Sequence, residues 1–312
     1  MTSSGLVRKA LALFVLIACL APPVSAQIND QLSAYTGANA TGYLQPLANA
    51  FGADLNTGIF RSASIPNMRP TVRLEIEVMS VLFGDADRTF RAVTEQGFSP
   101  MQHVDAPTIV GSEKAVLVEG QGGTEYAFPG GFNLHSFALA APQLRIGGIF
   151  STEAIIRYFS LKVSGEGKDS KDLGDIGLFG LGLKHSISQH LPGMLPVDLS
   201  AGFFWQRFNL GKNKEGGHLM TSDAFSIGVQ ASKKLPMFFT PYVGLSYDTH
   251  KMDLSYDSQT GDTTKTVDVS FEGTSTMHLT LGLIFNAPVV NLFAEYDIAS
   301  QKSFSFGLGL GF

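Results

Sequence analysis

Ser246, Asp248 and His250 alternate along one stretch of chain. A serine, a carboxylate and an imidazole are the residue types of a nucleophile, its orienting acid and its base. The spacing speaks against that chemistry. Residues two apart on a strand share a face but stand roughly 6.6 Å apart, which predicts no direct hydrogen bond between them. Catalytic triads are assembled from separate elements. The expectation is polar wall lining. The seven histidines, His103, His135, His185, His190, His218, His250 and His278, include no close metal spacing such as His-x3-His. A hairpin turning near residue 260 would set His250 opposite about residue 270, and not opposite His278. Gly177, Gly180 and Gly182 fit a strand interior better than a phosphate loop. The sequence therefore predicts no catalytic, cofactor-binding or metal site, no cofactor and no enzyme.

Charged residues form the other constellation. Arg73, Glu75, Glu77, Arg145, Asp198, Asp248, Glu295 and Asp297 alternate with large apolar residues. Arg157 is a further member if its strand has the same phase. A strand sends successive side chains to opposite faces, so these charges need a wet or paired environment while their neighbours need lipid or a core. Two readings fit: a charged constriction that selects solutes, or a salt-bridged interior that fills a narrow barrel. An excess of acid would bias an open path towards cations.

The elements that would carry these residues are strands. In Ser303–Phe312 every even position is Phe or Leu and every odd one Ser or Gly. Similar alternation predicts strands over 71–83, 142–150, 153–164, 173–187, 196–209, 222–234, 239–256, 265–286, 289–299 and 302–312. Placing Phe312 at the periplasmic end makes 84–141, 165–172, 210–221, 257–264 and 300–301 the outer loops. The inner turns are then 151–152, 188–195, 235–238 and 287–288. Segment 84–141 is too long for a bare loop and predicts a hidden hairpin, which would bring the count to twelve. Tyr43, Leu44, Leu47, Ala48, Phe51 and Leu55 have helical spacing. Leu44, Leu47 and Phe51 are the residues of a plug-like helix over 43–55. Trp205, Tyr247, Tyr296, Phe304 and Phe312 are candidates for interfacial girdles.

Composition agrees with this class. Of 312 residues 16% are charged, 34 are Gly and 24 are Phe, which excludes a disordered chain and opposes a soluble helical one. A net charge of −5 gives no basic footprint for nucleic acid. Arg8 and Lys9, then apolar Ala10–Leu20, then Val24-Ser25-Ala26, read as a leader over 1–26 cleaved after Ala26. Leu16-Ile17-Ala18-Cys19 offers a rival route, lipidation at Cys19, the sole cysteine. The domain expectation is a leader over 1–26, an N-terminal segment with the plug over 27–70 and a barrel over 71–312.

Several blocks resemble a known family. They are Gly42-Tyr43-Leu44-Gln45-Pro46-Leu47 with Phe51-Gly52 and Asn56-Thr57-Gly58, Ala141-Pro142-Gln143-Leu144-Arg145 with Thr152-Glu153 and Arg157-Tyr158, Asp175–His185 leading to Leu191-Pro192, and Pro196–Ser200. Together they resemble uncharacterised outer-membrane β-barrels common in Bacteroidota, over most of 41–312. A remoter similarity is to long-chain fatty acid transporter barrels, which also carry an N-terminal plug, although this chain lacks their Asn-Pro-Ala hatch motif. The resemblance implies no activity. The final Phe312 resembles the C-terminal signal read by the outer-membrane assembly machinery. The expectation is an all-β protein, an antiparallel transmembrane barrel of about ten to twelve strands with a short amphipathic N-terminal helix. Its partners would be outer-membrane lipid and that machinery. Its function would be passage of small or hydrophobic solutes across the outer membrane of a Gram-negative bacterium. The alternative is a non-conducting barrel for structure, adhesion or partner docking.

Overall fold

The alternating segments pair edge to edge into a closed ring. The computed structural model describes residues 35, 37–95, 97–163, 174–191, 196–211, 218–260, 263–273 and 276–311. The leader, Cys19, the 165–172 loop and Phe312 lie outside the described residues. Ten strands close the ring: β1 (Met68–Leu82), β6 (Ser136–Ile149), β7 (Thr152–Val163), β8 (Gly174–Ser186), β9 (Asp198–Leu210), β10 (Met220–Ser232), β11 (Phe239–Thr260), β13 (Thr276–Asn286), β14 (Val290–Ile298) and β15 (Lys302–Gly311). Every neighbour is antiparallel, and β15 returns to β1 with Glu75 opposite Gly309 and Glu77 opposite Gly307. Among the described residues, the ten strands of the ring leave no open edge where the ring closes.

Three expectations are corrected. The first concerns 84–141. It adds no strand to the wall; β2 (Thr89–Val93) pairs with β3 (His103–Pro107), and β4 (Val116–Glu119) with β5 (Glu125–Phe128). These two small hairpins form sheets of their own at one end of the barrel, a cap, and β6 begins six residues before the alternation is legible. The second concerns 265–286, which is two strands. β12 (Thr263–Glu272) extends the hairpin with β11 beyond the ring, and β13 pairs with the lower half of β11. The register slips by one residue between Lys251↔Glu272 and Asp248↔Thr276, the signature of a bulge. The third concerns the helix, α1 (Gly37–Asn56), which starts six residues earlier than its apolar spacing and contains Pro46. Tyr43, Leu44, Ala48, Phe51, Asp54 and Leu55 are buried along one broad face, and buried Pro46, Gly52 and Asn56 carry the contact further round the helix.

That interior is the barrel lumen. α1 touches β1, β6, β10, β11 and β15, strands from opposite sides of the ring. Phe51 sits between Phe137 and Phe208, with ring centroids 4.5 and 5.4 Å away. Met79, Val81, Leu139, Met220 and Met252 surround it, and Ala106, Ile109, Val110 and Phe128 of the cap continue the same core. Each such side chain contributes roughly 1.5–3 kcal/mol by leaving water. Leu44 is buried in this core, and Leu47 packs against it half-buried. The outer face is apolar as well: Leu181, Phe203, Ile227, Leu245, Leu281, Leu292 and Leu308 are exposed there. Among the described residues no helix is long and apolar enough to cross a membrane.

Candidate functional site

After Asn56 the chain leaves the helix and threads the lower lumen to reach β1. Thr57 Oγ1 donates to Ala53 O at 2.9 Å and caps the last turn. Gly58, at φ +73°, turns the chain away; a side chain there would run into the Glu77 carboxylate. The wall then grips the main chain of residues 55–63. Arg157 donates to Leu55 O at 3.2 Å and to Thr57 O at 2.9 Å. Arg145 donates to Ile59 O at 2.6 Å and Lys184 to Ser62 O at 2.8 Å. Gln206 donates to Leu55 O. In the other direction Gly58 N donates to Glu295 Oε1 at 2.5 Å and Ala63 N to Ser232 Oγ at 2.8 Å.

Each wall cation also holds a carboxylate. Arg145 bonds Glu75 at 2.9 Å and Glu153 at 3.0 Å, Lys184 lies 2.9 Å from Glu153, and Arg157 donates to Glu77 at 3.1 Å. The threading segment supplies one cation of its own, Arg61. It pairs with Glu75, lies 3.5 Å from Glu77 and stacks 3.4 Å over the Phe293 ring. All these groups are buried. Buried charges are tolerable when paired and hydrogen-bonded, and removing one partner strands the other.

A second polar cluster stands on β11, β13 and β14. His278 Nδ1 lies 2.6 Å from Asp248 Oδ2, and its Nε2 lies 2.8 Å from Asp297 Oδ1. Ser226 and Ser246 donate to Asp248 Oδ1 at 2.7 and 3.0 Å. The Ser246 contact corrects the sequence argument: alternate residues on a strand do meet when a long side chain leans along it. The catalytic reading gains nothing from it. Carboxylates occupy both imidazole nitrogens of His278, so neither is free to take a serine proton. His250 lies opposite Gly273, to which its carbonyl bonds at 3.0 Å, and takes no part in the cluster.

Of the lining candidates, Glu75, Glu77, Arg145, Asp248, Glu295 and Asp297 are buried on the inner face, and Arg73 and Asp198 are half-buried near its lower end. Sequence reasoning missed Glu153, Lys184 and His278 as lining residues; strand parity could have found Lys184 and His278, which alternate with exposed Leu183, Met277 and Leu279, whereas Glu153 stands between half-buried Thr152 and Ala154. Arg61 carries no such signal, because it lies in a segment without periodicity. The space left inside is small. A cavity of about 110 Å³ lies between α1 and Asp248, His250, His278 and Ser303, room for a few waters. A larger apolar groove, about 670 Å³, lies on the outer wall between Leu183, Phe203, Ile227, Leu245 and Tyr247.

No curated protein matches the chain. Among solved structures it is similar to the outer membrane protease OmpT of Escherichia coli, at 9% identity over 80% of this chain and 98% of that one, TM-score 0.36. It is similar to the outer membrane protein AlkL in lipid bilayers, at 11% identity over 81% and 94%, TM-score 0.32. It is similar to a Pseudomonas aeruginosa FadL homologue, at 8% identity over 85% and 97%, TM-score 0.26. Likenesses this weak transfer no activity. The family of unknown function DUF6588 matches residues 7–312, and the chain belongs to that family.

Proposed function

We propose that this chain is an integral β-barrel of the outer membrane of a Gram-negative bacterium, reached after cleavage near Ala26, and that it passes small polar solutes when its N-terminal segment leaves the lumen. The observation that carries the reading is the chain from the end of α1 through residue 63 inside the barrel, gripped by its main-chain carbonyls. The apolar outer face supports the membrane placement. Soluble monomers rarely expose apolar patches above roughly 300–600 Å², whereas here most strands present Leu, Ile, Val or Phe outward.

At rest this barrel is closed. Four charge-assisted bonds from Arg145, Arg157 and Lys184 hold the segment, each worth about 1.5–3 kcal/mol, and the apolar burial of α1 adds to them. Spontaneous opening is therefore rare. The bonds end on carbonyls, which water can replace, so the wall remains soluble once emptied. Among the described residues that wall buries six carboxylates, Glu75, Glu77, Glu153, Asp248, Glu295 and Asp297, against Arg145, Arg157, Lys184 and His278. The open path would prefer cations and is ill suited to hydrophobic cargo. One observation favours the non-conducting alternative: α1 and the cap share a single apolar core, which ties the segment to the loops.

The test is planar-bilayer conductance of the refolded mature chain and of a form lacking residues 27–65. The whole chain is expected to be silent and the truncated form to give discrete, cation-selective steps. Silence from both, with folding established by heat-modifiable gel mobility, rejects the conduit and leaves the structural role.

A further inference from the structure

A separate cluster lies at the rim opposite the cap. His185, near the end of β8, stands directly across from Thr152 at the start of β7. A single 3-10 turn, Ser188–His190, brings Gln189 and His190 back over it. The two imidazoles stack at 5.4 Å with their planes 23° apart. His185 Nε2 lies 3.1 Å from His190 Nε2. The Gln189 amide nitrogen lies 3.1 Å from the first and 3.2 Å from the second.

The surroundings fix how His185 presents its ring. The Thr152 hydroxyl donates to Phe150 O at 3.1 Å, so its oxygen accepts from His185 Nδ1, 2.9 Å away. The proton of a neutral His185 is then on Nδ1, and the Nε2 lone pair points into the cluster. Gln189 is held from behind by buried Ser151, whose Oγ donates to Oε1 at 2.7 Å. Turning the amide over places Oε1 among the histidine nitrogens and leaves Nε2 to donate to Ser151 Oγ.

We propose that His185, His190 and Gln189 form a binding site for a late first-row divalent metal ion, Zn²⁺ or Cu²⁺. Their three atoms make a triangle with sides of 3.1, 3.1 and 3.2 Å. A point about 1 Å above its plane is ~2.1 Å from all three corners, the usual length of a metal–imidazole bond. Thr152 supplies the outer-sphere hydrogen bond that orients a ligating histidine. Imidazole suits zinc and copper, and the Irving–Williams order makes Cu²⁺ the tightest of the series. Among the described residues no three His, Cys, Asp or Glu gather for a metal. The site is therefore two imidazoles and an amide, with solvent filling the remaining positions. A bound ion would staple the 188–190 turn to the end of the β7–β8 pair. The proposal does not depend on solute passage.

The test is a Cu²⁺ titration of the full mature chain in detergent micelles, read by electron paramagnetic resonance and calorimetry, with Zn²⁺ as competitor. The expected result is one ion per chain with nitrogen splitting from two imidazoles, and a weaker apparent Cu²⁺ affinity when the chain is first loaded with Zn²⁺. His185→Ala and His190→Ala should each abolish it. Thr152→Val should weaken it ~10–100-fold. A variant carrying His103→Ala, His135→Ala and His218→Ala should bind as the parent does. His190 is exposed on a turn, so its variant folds, which gel mobility verifies. Absence of stoichiometric binding overturns the site, as does binding that survives His190→Ala or is lost in the triple variant.

Discussion

Asp54 holds a fully buried carboxyl group, and among the described residues neither of its oxygens has a hydrogen-bond partner. Burial pushes its pKa well above the usual carboxylate value of 3.8, and the nearby Arg157 charge only partly opposes the rise. The folded chain thus keeps a proton on Asp54 where the unfolded chain has lost it. A raised carboxyl pKa costs stability as pH climbs from the unfolded value towards the folded one, and costs nothing below both. Asp54→Asn is neutral at every pH and nearly isosteric, so it removes that dependence. The expected outcome is a variant that gains on the parent between pH 4 and pH 8, by at most about 1.4 kcal/mol per pH unit. Urea unfolding of both forms in micelles across that range reads the difference, and other buried acids cancel because both forms contain them. A parent that is more stable than the variant at pH 8 would mean that Asp54 is ionised and paired with Arg157, contrary to this account.

At the scale of elements, the approach of α1 to the wall is set by Gly52. A methyl group there would fall within the His250 ring on β11. Alanine is normally better than glycine inside a helix by about 1 kcal/mol, so Gly52→Ala should stabilise if helix propensity decided the matter. The close contact predicts the reverse, a loss of about 1–3 kcal/mol from overpacking. His250→Ala in the same chain should recover most of that loss, a coupling that a double-mutant cycle of thermal midpoints would measure. Additive effects would place the helix elsewhere than against β11. This contact also shows what the sequence could convey. Strand parity was legible because the wall separates large apolar residues from small or polar ones, and the apolar spacing from Tyr43 to Leu55 marked a helix. Gly37–Gly42 has no such spacing; its contacts are with the cap, where Asn39 bonds both main-chain groups of Val93 and Gly42 lies against Phe90. Pairings such as His278 with Asp248 depend on the register between strands, and the one-residue slip beside Gly273 alters that register without a local signal. The cap hairpins were hidden for a related reason: four- and five-residue strands are too short to establish a period.

For the whole molecule, the deciding question is which solvent the outer wall meets, and a single exposed residue can answer it. Leu281 lies mid-strand on β13, opposite Val243 on one side and Tyr296 on the other, with 47% of its surface exposed. In water an exposed leucine is nearly free to change, and Leu281→Arg should shift stability by no more than about 0.5 kcal/mol in either direction. In a bilayer the same position is near the apolar midplane, where arginine on the lipid face of a barrel costs about 2–4 kcal/mol. Lys302, at the cap end of β15, is already charged and exposed, so Lys302→Arg there serves as the control and should be silent in either medium. The measurement is urea unfolding of parent and variants refolded into lipid vesicles. Because the inner face, with its ion pairs and its threaded segment, is the same in every variant, a penalty at residue 281 reports the outer face alone. A loss of ~2–4 kcal/mol there, with none at residue 302, identifies lipid as the solvent of the wall. A loss below ~0.5 kcal/mol at both would make the apolar girdle a surface that another protein covers, and would remove the membrane from the proposed function.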